Sequence, residues 1–246
     1  MRDTHTSVLS GNGRTELDTL LDAKVDRRDV PGVVAEVANR ERTLYRGAFG
    51  KLDDRGAVDM PTDAIFRIAS MTKPVTSVAV LMLKDQGLVD LDDEVGRYLP
   101  ELKGAEVIVE FDESNSSYAT RPAAREITLR DLLSHTAGFG YDFSNYILSK
   151  LSDRLPAIPP LLHDPGTRWI YGMSTRVLGR MIEKVTNQSL DVFFESSIFK
   201  PLDMSDTGFY LRPEDRPRLA SRFRRINREL RGEPNPESYE PNVSGD

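Results

Sequence analysis

Residues 65–87 do most to constrain the fold. Ile65, Phe66, Arg67, Ile68 and Ala69 read as a short strand, and Val78, Val80, Leu81, Met82 and Leu83 then cover most faces of a helix that Gly87 stops. Such a helix belongs at the centre of a structure. At the junction stands Ser70-Met71-Thr72-Lys73, which puts a hydroxyl and an amine on one face of the first turn if the helix begins there. A serine hydroxyl is inert until a neighbour takes its proton, and a lysine can do so when its surroundings lower its pKa from about 10.4. Free N–H groups at a helix start also favour a developing oxyanion and disfavour a charged lysine. Pro74 fits, since proline is tolerated in a first helical turn.

The spacing alone proves little, because Ser197-Ile198-Phe199-Lys200 repeats it. That copy ends an amphipathic stretch of Leu190, Phe193, Phe194 and Phe199 and precedes Pro201, so it reads as a helix end with a cation favourable to the dipole. Position separates the two copies.

A chain of 246 residues can bury a large core, and 39% hydrophobic with 29% charged residues is the balance of a soluble globular protein. A net charge of -6 points to neither nucleic acid nor an anionic membrane as partner. The Arg-rich stretch at 212, 216, 218, 222, 224, 225, 228 and 231 is interleaved with acids and prolines and reads as a solvated surface. Zero cysteines exclude disulfides, zinc-thiolate sites and cysteine nucleophiles. The first residues lack the apolar core of a signal peptide, and the apolar run 78–83 is too short for a bilayer, so the expected location is cytoplasmic.

The organisation is mixed α and β. Leu17, Leu20, Leu21 and Val25 predict a helix ending before Pro31, and residues 32–38 and 43–50 predict an antiparallel hairpin across the polar turn 39–42. Residues 88–102 read as an acidic loop anchored by Val95, Tyr98 and Leu99, and residues 110–125 as an exposed excursion. Thr128 with Asp131 looks like a cap opening a short helix, 129–134, that Gly138 ends. The following aromatics, Phe139, Tyr141, Phe143 and Tyr146, are either core packing of a helical lobe or a wall of a substrate cleft. Residues 165–174 form a loop delivering Tyr171 to a helix capped by Ser174 or Thr175, with Val177, Leu178, Met181, Ile182 and Val185 inward. Alone, Tyr171 is either a packing residue with a satisfied hydroxyl or a catalytic one.

Together these segments resemble the serine β-lactamase and penicillin-binding-protein superfamily, most closely its class C-like family VIII carboxylesterases. Phe66 to Pro74 resembles the nucleophile motif with its flanks. Leu132-Leu133-Ser134-His135-Thr136-Ala137-Gly138 is similar to the Leu-Leu-Thr-His-Thr-Ser-Gly signature, and residues 165–171 to the loop before the second catalytic motif. Phe199-Lys200-Pro201-Leu202-Asp203-Met204 resembles the Phe-x-Pro-Leu-Gly-Met segment. The resemblance implies an α/β (α+β) β-lactamase-like fold, an antiparallel sheet flanked by helices plus a mainly helical lobe. It implies Ser70 as acylated nucleophile, Lys73 and Tyr171 as its proton-transfer pair, and carboxylic esters as small-molecule substrates, without metal or organic cofactor. Phe139, Tyr141, Trp169 and Met173 are the expected substrate-binding residues.

The chain departs from the family pattern twice. The lactamase motif Tyr-x-Asn has Met173 in place of its amide, which favours an esterase over a β-lactamase, and a D-amino peptidase or transesterase of the same fold is the further alternative. A third motif of the type Lys-Thr-Gly, His-Thr-Gly or Trp-Gly-Gly does not follow Tyr171, so the sheet is expected to be incomplete, as about two thirds of the fold. The implied organisation is 1–87 with the first strands and nucleophile helix, 88–210 as helical lobe, and 211–246 leading toward a missing C-terminal part. Activity is then expected to be impaired unless a homo-oligomer or another chain supplies the rest, and a relative that only binds a ligand or partner is the non-enzymatic alternative. The Gly-x-Ser-x-Gly that normally announces a Ser-His-Asp hydrolase does not occur, so His135 reads as a structural helix-end residue, and His163-Asp164 is too sparse for a metal.

Overall fold

The computed structural model describes residues 10–151, 154–233 and 235. In chain order its elements are α1 (Gly11–Asp26), β1 (Gly32–Ala38), β2 (Thr43–Gly50), α2 (Thr72–Asp85), β3 (Glu106–Asp112) and β4 (Ser117–Pro122). There follow α3 (Leu129–Leu133), α4 (Tyr146–Leu151), α5 (Ser174–Thr186), α6 (Leu190–Phe194), β5 (Arg222–Ile226) and β6 (Glu229–Glu233). Two compact units result, one from residues 1–67 with 210–241 and one built on 68–209. The division falls at Arg67 and Phe209, whereas the sequence reading drew it at Gly87 and Tyr210 and grouped α2 with the hairpin. Contacts between α2 and α5 hold that helix in the second unit.

In the first unit β1 and β2 pair antiparallel from Gly32–Gly50 to Ala38–Thr43, with a bulge between Val37 and Ala38. Asn39 closes the turn, its Oδ1 accepting from the N–H groups of Glu41 (3.0 Å) and Arg42 (2.8 Å). Helix α1 rests on this hairpin, and the Tyr45 hydroxyl donates to Asp18 at 2.7 Å. The Arg-rich stretch is a hairpin, β5 with β6, in which Arg222 and Arg224 pair with Glu233 across the strands. The strand expected over 65–69 is a single bridge from Ile65 to Leu219.

The second unit is helical around one core. Ala79, Val80 and Leu83 of α2, Leu129 and Leu132 of α3, Val177, Leu178, Met181 and Ile182 of α5 and Phe193 and Phe194 of α6 are all buried in it. Helix α2 is buried on one face only, since Val78 and Leu81 are exposed. It ends as expected, with Gly87 at φ +71° and the N–H groups of Gly87 and Leu88 donating to the carbonyls of Lys84 and Leu83. Thr128 and Asp131 form a capping box on α3, but the left-handed residue that ends that helix is His135 (φ +57°), three residues before Gly138. Neither Ser174 nor Thr175 caps α5: Met173 occupies the N-cap, and Ser174 Oγ is buried without a hydrogen-bond partner among the described residues. The excursion at 110–125 is instead largely the β3–β4 hairpin, hidden in the sequence because most of its side chains face solvent. Among the described residues each sheet has two strands.

The second Ser-x-x-Lys copy lies where expected. Its serine is in the last, widened turn after α6, and Lys200 closes that turn with its N–H on the Glu195 carbonyl.

Candidate active site

The site lies wholly within the second unit. Ala69–Met71 is a 3-10 turn running directly into α2, so Ser70 precedes the α-helix by two residues and Lys73 is its second residue. Ala69 adopts φ +44°, a conformation that costs an L-residue about 1 kcal/mol or more. This tight entry leaves Ser70 exposed and brings Lys73 Nζ to 3.3 Å from Ser70 Oγ.

Tyr171 comes from a loop laced to the segment after α3. The N–H groups of Leu162, Gly166 and Ile170 donate to the carbonyls of Gly138 (2.8 Å), Thr136 (2.8 Å) and His135 (2.9 Å). The segment receiving them is anchored at Asp131, a buried carboxylate gripped by Arg125 through two hydrogen bonds of 2.6 and 2.9 Å. Asp131 remains ionised despite burial because Arg125 and the Thr128 N–H and hydroxyl outweigh the cost of desolvation. Gly172 lets the two backbones meet, since a Cβ there would lie 2.0 Å from the Phe139 carbonyl oxygen.

The result sets Lys73 Nζ 4.8 Å from the centroid of the Tyr171 ring and 5.7 Å from that of Tyr141. Hydrogen bonds to Ser70 and to Lys73 lower the Tyr171 pKa below its ordinary value, against a smaller opposing effect of desolvation. For Lys73, burial pushes downward, but hydrogen bonds and charge interactions with Tyr171 and Tyr141 together push harder, and the net shift is upward. The expectation that its surroundings would lower the pKa of this lysine is therefore corrected. Two phenols beside the amine keep it an ammonium, and the ammonium in turn makes the Tyr171 phenol more acidic.

The four expected substrate contacts divide. Tyr141 is half-buried with its ring 5.8 Å from Tyr171, and Trp169, 66% exposed, lies 6.4 Å from Tyr171. Phe139 is 1% exposed and Met173 9%, both packed in the core, so neither presents a side chain to a ligand. Two residues outside that set join the cluster. Phe143, 77% exposed, stacks on Tyr141 at 4.8 Å, and His135 sits 5.0 Å from Tyr171. Alternation of Tyr141 and Phe143 in one loop was the signal for the first; nothing in the sequence brings His135 to Tyr171.

The β-lactamase family model matches residues 17–245. The chain belongs to the β-lactamase family. Esterase EstB of Burkholderia gladioli is 33% identical over 217 residues, 78% of this chain and 50% of the esterase. Monacolin J acid methylbutanoyltransferase of Aspergillus terreus is 31% identical over 224 residues, 84% of this chain and 54% of the transferase. Among solved structures, a mutant of simvastatin synthase from Aspergillus terreus superposes with a TM-score of 0.82 at 31% identity, covering 94% of this chain and 61% of that one. The fold is thus the β-lactamase-like α/β fold, and the chain spans about half the length of the curated relatives it matches. No helix among the described residues is long and apolar enough to cross a membrane.

Proposed function

We propose that this chain carries the nucleophile of a serine enzyme that cleaves carboxylic esters through an acyl intermediate on Ser70. The observation that carries the reading is the 3.3 Å approach of Lys73 Nζ to Ser70 Oγ beside the Tyr171 ring, and interaction with the same two groups makes that phenol more acidic. Tyr171, held as a phenolate by the charge of the Lys73 ammonium, takes the proton of Ser70 Oγ as that oxygen bonds to the ester carbonyl carbon. The Ser70 N–H, at the turn that opens α2, faces the developing oxyanion. Collapse expels the alcohol, which leaves with the proton from Tyr171, and the acyl group stays on Ser70. Water or a second alcohol, deprotonated by Tyr171, then attacks the acyl carbon, and Ser70 Oγ leaves with that proton from Tyr171. Tyr141 and Trp169 flank the reacting atoms as the substrate-contacting pair.

An esterase among the relatives supports water as acceptor and a methylbutanoyltransferase supports an alcohol, so hydrolysis and transfer share this one intermediate. The apolar side chain of Met173 where lactamases carry an amide donor weighs against β-lactams. Parallel assays with 4-nitrophenyl butyrate and nitrocefin test the reading. Release of nitrophenol that disappears in Ser70→Ala, with nitrocefin slower, is the expected result; nitrocefin turning over faster sinks the ester assignment.

A further inference from the structure

We propose that His135 is a positioning residue for Tyr171, its imidazole ring bracing the phenol ring in the orientation that reaches Ser70 and Lys73. The inference rests on the proposed role of Tyr171 and deepens it.

Three rings contact Tyr171, and His135 is the nearest: centroids 5.0 Å apart with planes 39° apart, against 5.8 Å for Tyr141 and 6.4 Å for Trp169. Trp169 is mostly in solvent and Tyr141 carries the exposed Phe143, so neither is a firm support. His135 is held from three directions. Its left-handed backbone (φ +57°) follows the short capped helix α3, its carbonyl accepts the N–H of Ile170, the residue before Tyr171, and its ring also meets Trp169 at 6.3 Å. Main chain and side chain of one residue therefore fix both the backbone entry and the ring of Tyr171.

The imidazole makes no polar use of its inner edge, because Nδ1 is buried with no hydrogen-bond partner among the described residues. Burial disfavours its charged form, and the Lys73 ammonium adds to that. The groups that face Tyr171 are thus one cation, Lys73, one neutral imidazole, the Ser70 hydroxyl and the Tyr141 phenol. A second cation at His135 would pull the phenolate away from Ser70 and weaken it as a base. The ring acts as a wall, and a wall need not be polar.

This yields a test in three variants of the full chain: His135→Phe, His135→Ala and His135→Asn. The readouts are the second-order rate of Ser70 labelling by a fluorophosphonate and the midpoint of the 295 nm phenolate signal that Tyr171→Phe removes. His135→Phe keeps the ring and should label within about threefold of the parent with an unmoved midpoint. His135→Ala and His135→Asn remove the ring and should label about tenfold or more slowly, as expected for a base displaced by a fraction of an ångström. Their midpoints should rise toward the ordinary tyrosine value near 10 as contact with Lys73 and Ser70 is lost. Asparagine tolerates the left-handed backbone, so its loss cannot be put down to φ. If His135→Phe falls as far as His135→Ala, the polar edge matters and the positioning role is refuted; so too if all three match the parent. Failure of the parent itself to label at Ser70 would instead refute the reading of the site on which the proposal rests.

Discussion

Replacing Gly172 by alanine should disable the site while changing no group that takes part in the chemistry. The residue has no side chain because the backbone of Phe139 and Gly140 occupies the space: an added Cβ would stand 2.0 Å from the Phe139 carbonyl oxygen, 2.5 Å from its carbon and 2.7 Å from Gly140 Cα. Ordinary contact begins at 3.4 Å, so the strands of chain at 139–140 and 171–172 must part by about 1.4 Å. All three obstructing atoms are main-chain atoms, with no flexible side chain to swing aside. Overpacking of this kind costs about 3 kcal/mol, the upper end of its usual range, which lowers Tm by about 10 °C in a unit of this size. The same movement carries Tyr171 off Ser70, and a displacement near 1 Å slows reaction by about a hundredfold. Thermal denaturation and fluorophosphonate labelling kinetics read the two effects on one preparation. Gly11→Ala, where nothing lies within 4 Å of the added atom, serves as control and should lower neither the Tm nor the labelling rate. A Gly172→Ala protein with parental Tm and parental labelling rate would refute the close backbone approach and the placement of Tyr171 built on it.

Removing the ammonium in Lys73→Ala should shift the alkaline rise of Ser70 labelling to higher pH, because Lys73 helps hold the Tyr171 pKa down; an unmoved profile would detach the two residues. Asp131→Asn should destabilise the protein by about 2 kcal/mol, the worth of hydrogen bonds to a buried charge. The folded pKa of Asp131 lies below its unfolded value near 3.9, so that stabilisation is complete above this pH and disappears as pH falls through the folded pKa. Denaturant melts of parent and variant should therefore differ by a constant amount at neutral pH and converge in acid. Tyr45→Phe deletes the 2.7 Å bond to Asp18 from a hydroxyl whose pKa burial and that carboxylate push up to about 12, and should cost about 1 kcal/mol in the same assay.

Much of the local structure was legible where one face meets the core or where a cap is local. The β1–β2 hairpin follows the residue limits expected from two strand-forming segments across the polar turn 39–42, and Thr128 with Asp131 announces α3. The hairpins β3–β4 and β5–β6 escaped because few of their side chains are buried, so no alternation marks them; cross-strand pairs such as Arg224 with Glu233 take its place. Ser174 illustrates another limit, since a residue type that favours caps was drawn into the core by the packing of α5. At the site, Ser70, Lys73 and Tyr171 were separable from chance by position and order. The sign of the Lys73 shift was not, because it depends on two phenols arriving from elsewhere in the chain to outweigh burial. Phe139 was misassigned for a related reason: an aromatic next to a glycine-rich turn has the same composition whether it points to the core or to a ligand.

The central claim is that Ser70 is a nucleophile activated by Lys73 and Tyr171. A stoichiometric fluorophosphonate reads it most directly, because one covalent step suffices and no deacylation is required. Intact mass should show a single adduct, peptide mapping should place it on Ser70, and Ser70→Ala should remain unmodified, with Tyr171→Phe slowed by about a hundredfold or more. An adduct elsewhere, or equal labelling of Ser70→Ala, would contradict the account.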